Sequence, residues 1–211
     1  MTAKLHCFGE SGNSYKAALA MELTGFLWQP VYVDFFGGET RTPEFRKINP
    51  MGEAPVLVHE GQTISQSGVI LKYVAERTGK LGALTSAQEL EISRWILWDN
   101  YKLSSLCGVT RFLANFIPSE KRPMEVIRWH KSRLQVSFGV LNTFLSDRKW
   151  LVGGRPTIAD LSCCGYLYYR EPFGFEPGAW PHISAWLERL SELDGWRHPY
   201  DLMPGSPADR R

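Results

Sequence analysis

Residues 14–24 constrain the fold more than any other stretch. Ala17, Ala18, Ala20, Met21 and Leu23 fall at helical spacing and end at Gly25, between strand-like runs at residues 4–8 and 30–36. A helix joining two short strands implies that they pair in parallel through a crossover. Past the loop Gly37-Gly38-Glu39-Thr40-Arg41-Thr42, Pro43 suits the first position of a short helix. Runs at 55–59 and 62–64 are divided by Glu60-Gly61, a hairpin signal that makes them antiparallel. Residues 66–77 return to helical spacing through Val69, Ile70, Tyr73 and Val74. The order βαβα followed by ββα predicts a mixed sheet in a thioredoxin-like domain over residues 1–79.

Beyond a linker at 80–85, helical patterning dominates residues 86–211. Leu90, Trp95, Leu97, Trp98 and Tyr101 mark one helix, and Val126, Ile127, Leu134, Phe138, Leu141 and Leu145 a second. Residues 158–169 and 181–193 predict two more, and the proline-containing tail after Trp196 reads as an irregular extension. The expected architecture is therefore an α/β thioredoxin-like N-terminal domain plus an all-α helical-bundle C-terminal domain.

Composition narrows the function. With 24 basic and 22 acidic side chains the net charge is +2, without the dense basic field of a nucleic-acid protein. The one basic cluster, residues 121–133, is interleaved with apolar residues and reads as a solvated helix face. No apolar run approaches the roughly 18–20 residues of a membrane span, and the N-terminus carries no secretory pattern. The 4 cysteines form no C-x-x-C, and no Cys/His set has metal spacing, so no metal is expected. They read as small buried side chains in a reducing cytoplasm.

Four segments carry the chemistry: Ser11-Gly12-Asn13-Ser14-Tyr15-Lys16, Asn49-Pro50-Met51-Gly52-Glu53-Ala54-Pro55, Ser65-Gln66-Ser67-Gly68, and residues 150–160, which end in Thr157-Ile158-Ala159-Asp160. In this order they resemble the soluble glutathione S-transferases, with the overall look of bacterial members near the zeta and nu classes. The resemblance spans most of the chain. It implies the glutathione transferase fold, glutathione as co-substrate, a small hydrophobic electrophile as second substrate, a homodimer and a cytoplasmic location.

It also assigns residues. A thiol of pKa about 8.5 is only a few per cent thiolate at pH 7, and lowering that value by about two units needs about 2.7 kcal/mol. A hydroxyl donor at a helix N-terminus can supply this through a charge-assisted hydrogen bond and the helix dipole. By resemblance Ser11 is that donor, with Asn13 a second. On the residues alone, Ser11, Asn13 or Ser14 can equally cap the helix. Pro55 is expected to be cis, leaving the backbone of Ala54 to pair with the cysteinyl unit of glutathione. Gln66 and Ser67, at a helix N-terminus, are expected to hold the γ-glutamyl end. Two departures stand out: Glu53 where Lys or Gln is common, and Gln66 where many relatives carry Glu. Thr157 and Asp160 form a capping pair assigned to folding.

The second-substrate pocket is assigned to Tyr101, Ser105, Arg111 and Phe112. A stripe of this kind also suits a core or a dimer interface. The leading function is conjugation of the glutathione thiolate to an electrophilic carbon. The alternatives are glutathione-dependent reduction of disulfides or peroxides, and non-catalytic glutathione binding on the same fold.

Overall fold

The computed structural model describes residues 2–205, which group into two compact units, residues 2–82 with residues 193–205, and residues 83–192. In the first unit, β1 (Ala3–Cys7) leads to α1 (Gly12–Thr24), β2 (Trp28–Tyr32), α2 (Pro43–Ile48), β3 (Val56–His59), β4 (Gln62–Ser65) and α3 (Ser67–Thr78). The sheet order is β2-β1-β3-β4, with β1 parallel to β2 and antiparallel to β3. The expected mixed sheet is present. Its edge strand β2 ends at Tyr32, short of the expected 36. There Phe35 leaves the strand direction to stack on Phe8 at 4.8 Å. Pro30 lies within β2, which an edge strand tolerates because one ladder face has no partner.

Helix α1 is buried along nearly its whole length, from Ser14 through Met21. Its alanines let α3 pack close beside it. Apolar burial here, at about 1.5–3 kcal/mol for each large side chain such as Leu19 or Met21, anchors the turn that precedes the helix.

The second unit holds α4 (Ser86–Trp98), a π-helical stretch Asp99–Ser104, α5 (Ser105–Asn115), α6 (Met124–Phe144), α7 (Ile158–Cys164) and α8 (Pro181–Ser191). The π stretch interrupts what the sequence reads as one regular helix. It holds Asp99, fully buried, whose carboxylate accepts from the hydroxyls of Ser104 (2.7 Å) and Ser162 (2.6 Å), tying it to α7. The wider turn also delays the inward stripe, which runs Ile92, Trp95, Asp99, then Leu103, Cys107, Thr110 and Arg111. Helix α7 is shorter than the expected 158–169. After Gly165 the chain tightens into three-residue turns, with Leu167 N–H on Cys164 O at 2.9 Å.

The tail differs most from expectation. The sequence pattern assigns residues 86–211 to the second domain. Instead, residues 193–205 group with the first unit, and a short helix α9 (Pro199–Leu202) packs on α1.

Asp160 organises the second unit's core. Its fully buried carboxylate accepts from Leu151 N–H (2.9 Å), Thr157 N–H (2.9 Å), Thr157 Oγ1 (3.1 Å) and Trp186 Nε1 (3.0 Å). Burial pushes its carboxyl above the usual value, and these donors pull it back. Every partner donates, so an amide NH₂ in place of one oxygen would face an N–H. Asp160→Asn should therefore lower unfolding stability by about 2–3 kcal/mol. Urea melts matching the unaltered chain would refute this role.

Candidate active site

Register brings three separated segments to one edge of the sheet. His6 lies opposite Val56 across the antiparallel β1–β3 pair, and Val56 lies opposite Ser65 across β3–β4. The residues after β1, before β3 and after β4 are therefore neighbours. These are the turn at Ser11, the Ala54–Pro55 step and the start of α3.

Ser11 is the N-cap of α1, with extended backbone (φ −86°, ψ 106°). Its Oγ accepts from Ser14 N–H at 3.1 Å, its own N–H donates to Phe8 O at 3.1 Å, and it is 6% exposed. These bonds make Ser11 a helix cap. The cap uses an Oγ lone pair and leaves the hydroxyl proton to donate, and the accepted bond polarises that O–H. Close by, Asn13 Oδ1 and Ser14 Oγ are buried with no hydrogen-bond partner among the described residues.

The Ala54–Pro55 peptide bond is cis. The loop before it is held by Asn49, itself buried, whose Nδ2 donates to Glu53 O at 2.8 Å and whose Oδ1 accepts from Met51 N–H at 3.2 Å. Among the described residues, no bond engages the backbone N–H or C=O of half-buried Ala54. An extended ligand segment would satisfy both.

Gln66 precedes α3 at φ 69°, a left-handed conformation unfavourable for a residue with a Cβ. No side chain caps this helix, whereas Ser11, Thr85 and Thr157 cap α1, α4 and α7. Its first N–H groups thus remain for an anion, beside buried Ser67. Gln66 Nε2 donates to Glu53 Oε2 at 3.0 Å. The two departures noted in the sequence are one hydrogen-bonded pair, a proximity that thirteen residues of separation conceal.

The proposed second-substrate residues separate. Tyr101 is 71% exposed, Ser105 Oγ donates to Tyr101 O at 2.9 Å, and Phe112 is half-buried. Arg111 turns inward. It is 2% exposed, with Nε and Nη2 on Glu171 Oε2 (3.1 and 2.9 Å) and its guanidinium over the Tyr169 ring at 3.9 Å. The π stretch accounts for this, because residues beyond it are rotated relative to a regular helix.

No protein thiol is available for the chemistry. Cys7, Cys107, Cys163 and Cys164 are buried and form no disulfide, and burial pushes the Cys7 thiol up to about 12. Burial also lowers the pKa of nearby His6. No cluster of metal-binding side chains occurs among the described residues, and no helix there is long and apolar enough to cross a membrane.

Fold and site geometry define a thioredoxin-like domain with a serine-capped first helix and a cis-proline, joined to a helical domain, the architecture of glutathione transferases. The family models agree. The glutathione S-transferase N-terminal domain matches residues 1–76 and the C-terminal domain residues 109–194, and the chain belongs to this family of enzymes. It is 29% identical to a maleylacetoacetate isomerase of Pseudomonas aeruginosa, over 97% of this chain and 99% of that protein. It is 26% identical to the disulfide-bond oxidoreductase YfcG of Escherichia coli, over 87% of each. A solved structure described as a possible glutathione S-transferase from Rhodopseudomonas palustris superposes with a TM-score of 0.89 at 27% identity, covering 99% of this chain and 95% of that one.

Burial of every cysteine gives a direct expectation. At neutral pH the folded protein should take up no iodoacetamide on the time scale that labels all 4 thiols in denaturant. Rapid single labelling by mass spectrometry would show an accessible thiol and reopen cysteine chemistry.

Proposed function

We propose that this protein is a glutathione S-transferase in which Ser11 holds the glutathione sulfur as a thiolate for attack on small electrophiles. The observation that carries the reading is Ser11 itself, an N-cap whose hydroxyl proton is left over by the cap, near an unpaired Ala54 backbone and an uncapped α3. Substrate binding supplies the nucleophile, and the turn lowers its proton affinity. Ser11 Oγ–H donates to the developing S⁻, with the positive end of the α1 dipole behind it. Asn13 is a second candidate donor through its amide.

In this reading Ala54 pairs with the cysteinyl backbone, and Ser67 with the α3 N-terminus takes the γ-glutamyl carboxylate. The γ-glutamyl unit also carries an ammonium, and Glu53, bonded to Gln66, supplies the matching negative charge. Tyr101, Ser105 and Phe112 remain as second-substrate residues. Arg111 drops out, its charge taken by Glu171. A homodimer through α3 and α4 is supported by the exposed Val69, Leu90 and Leu97. The absence of any disulfide among the four cysteines suits a cytoplasmic location.

A second reading is favoured by the likeness to YfcG. Reduction of a disulfide without a protein thiol would require two glutathione molecules, one attacking and one resolving. The likeness to the isomerase suggests a variant of the first reading. Thiolate addition to an activated double bond, rotation and expulsion would change geometry and return glutathione unchanged. Assays with an aryl halide, a glutathionyl disulfide and a cis-unsaturated diketo acid rank the three.

Ser11→Ala should reduce kcat/KM for conjugation about tenfold or more at neutral pH, with partial recovery as alkaline pH ionises the thiol unaided. It should also cost about 1 kcal/mol of stability through the lost cap. Unchanged neutral-pH activity would reject Ser11 as donor. Glu53→Gln should raise the glutathione KM about three- to tenfold and leave kcat within about twofold, because the contact is equal in ground and transition states. A fall in KM would mean that Glu53 repels the ligand.

A further inference from the structure

The C-terminal segment, residues 193–205, is attached to the turn that holds Ser11. Gly9 N–H donates to Pro204 O at 2.6 Å. A Cβ on Gly9 would lie 3.1 Å from Gly205 O and 3.2 Å from Pro204 O, so the two backbones touch with no side chain between them. On its other side Gly205, at φ 86°, is bounded by Tyr32, whose Cε2 would lie 2.6 Å from an added Cβ. The end of the strap is thus wedged between Gly9 and the ring on β2.

A second tie lies on the far side of Ser11. Tyr15, fully buried in the first turn of α1, donates its hydroxyl to Arg197 O at 2.8 Å. Between the ties the strap folds into α9, capped by His198, with Leu202 and Met203 buried. One tie comes two residues before Ser11 and the other four after, and Ser11 O itself accepts from Tyr15 N–H at 2.9 Å. The strap therefore brackets the backbone that aims the Ser11 hydroxyl.

We infer that this strap is a positioning element for catalysis: it fixes the turn so that the Ser11 O–H points at the sulfur, and thereby sets the acidity of bound glutathione. The inference rests on the Ser11 reading above. A charge-assisted hydrogen bond weakens steeply with distance and angle, so a small loosening of the turn raises the thiol pKa. The γ-glutamyl grip at Gln66 and Ser67 lies on other segments and is left alone. Acidity and affinity should separate.

Two variants of the full chain test it. Gly205→Ala disturbs the strap from its Tyr32 side, and Tyr15→Phe removes one oxygen from the second tie while keeping the ring. In either, kcat/KM should fall about threefold or more near pH 6.5 and approach the unaltered value near pH 9. Thiolate absorbance of the bound tripeptide should titrate at least about half a unit higher, while its calorimetric Kd moves less than about twofold. A loss equal at all pH values, or an unshifted thiolate titration in both folded variants, overturns the inference. If Gly205→Ala fails to fold by circular dichroism, Tyr15→Phe decides alone. Ser11→Ala, run alongside, separates the claims. A shift in it without one in the strap variants sinks the strap alone, and no shift in Ser11→Ala sinks both.

Discussion

The antiparallel pairing of β1 with β3 is the constraint on which the candidate site depends. Strand β1 runs toward its C-terminus beside the beginning of β3, and β3 begins beside the end of β4. Only this combination of directions brings the turn after Cys7, the cis step before Val56 and the helix start after Ser65 to one sheet edge. A parallel β1–β3 pair would send Ala54 to the opposite end. The crossover through α1 leaves β1 an inner strand, so its exit is held by neighbours on both sides.

At that edge, stability and chemistry share atoms. Ser11 Oγ closes the helix with a lone pair and keeps its proton, so the cap and the proposed donor role would use different parts of one hydroxyl. The start of α3 does the opposite: no side chain caps it, and Gln66 is held at positive φ. An unsatisfied helix start costs free energy in the empty protein, and an arriving carboxylate offsets that cost. A positive-φ residue and unpaired backbone groups thus lie together at the start of α3 and at Ala54. In the second unit the buried carboxylates of Asp160 and Asp99 are both paired.

How much of this was legible in the sequence follows from the range of the interactions. Local signals were strong. The Ala-rich run of α1, the Glu60-Gly61 hairpin and the Thr157–Asp160 box all act within a few residues, and each element is present. The cis Ala54–Pro55 bond was legible only through resemblance, since sequence alone favours trans at an X–Pro bond. Three features were not legible. The π stretch depends on Asp99 meeting Ser162, 63 positions away, and its extra residue turned Arg111 from a proposed ligand into the buried partner of Glu171. The strap depends on Gly9 meeting Pro204 at the far end of the chain, in a tail whose prolines read as irregular. Glu53 and Gln66 looked like two separate departures because the register joining them is tertiary.

The Glu53–Gln66 pair and the buried cysteines together limit the chemistry. With the Cys7 thiol held near 12 and the other three cysteines buried, the protein has no sulfur to offer. In the proposed reading the nucleophile comes from the ligand, and the protein's part is to bind and deprotonate it. A ligand with a carboxylate and an ammonium on one carbon needs a donor set and an anion side by side. In the proposed reading the α3 N-terminus supplies the first, and Glu53, bonded to Gln66, the second. Moving the carboxylate from the helix start to the neighbouring loop preserves the charge pairing and leaves the helix dipole unopposed by a fixed negative charge at its first residue. That arrangement accounts for both departures at once, where each taken alone would count against binding.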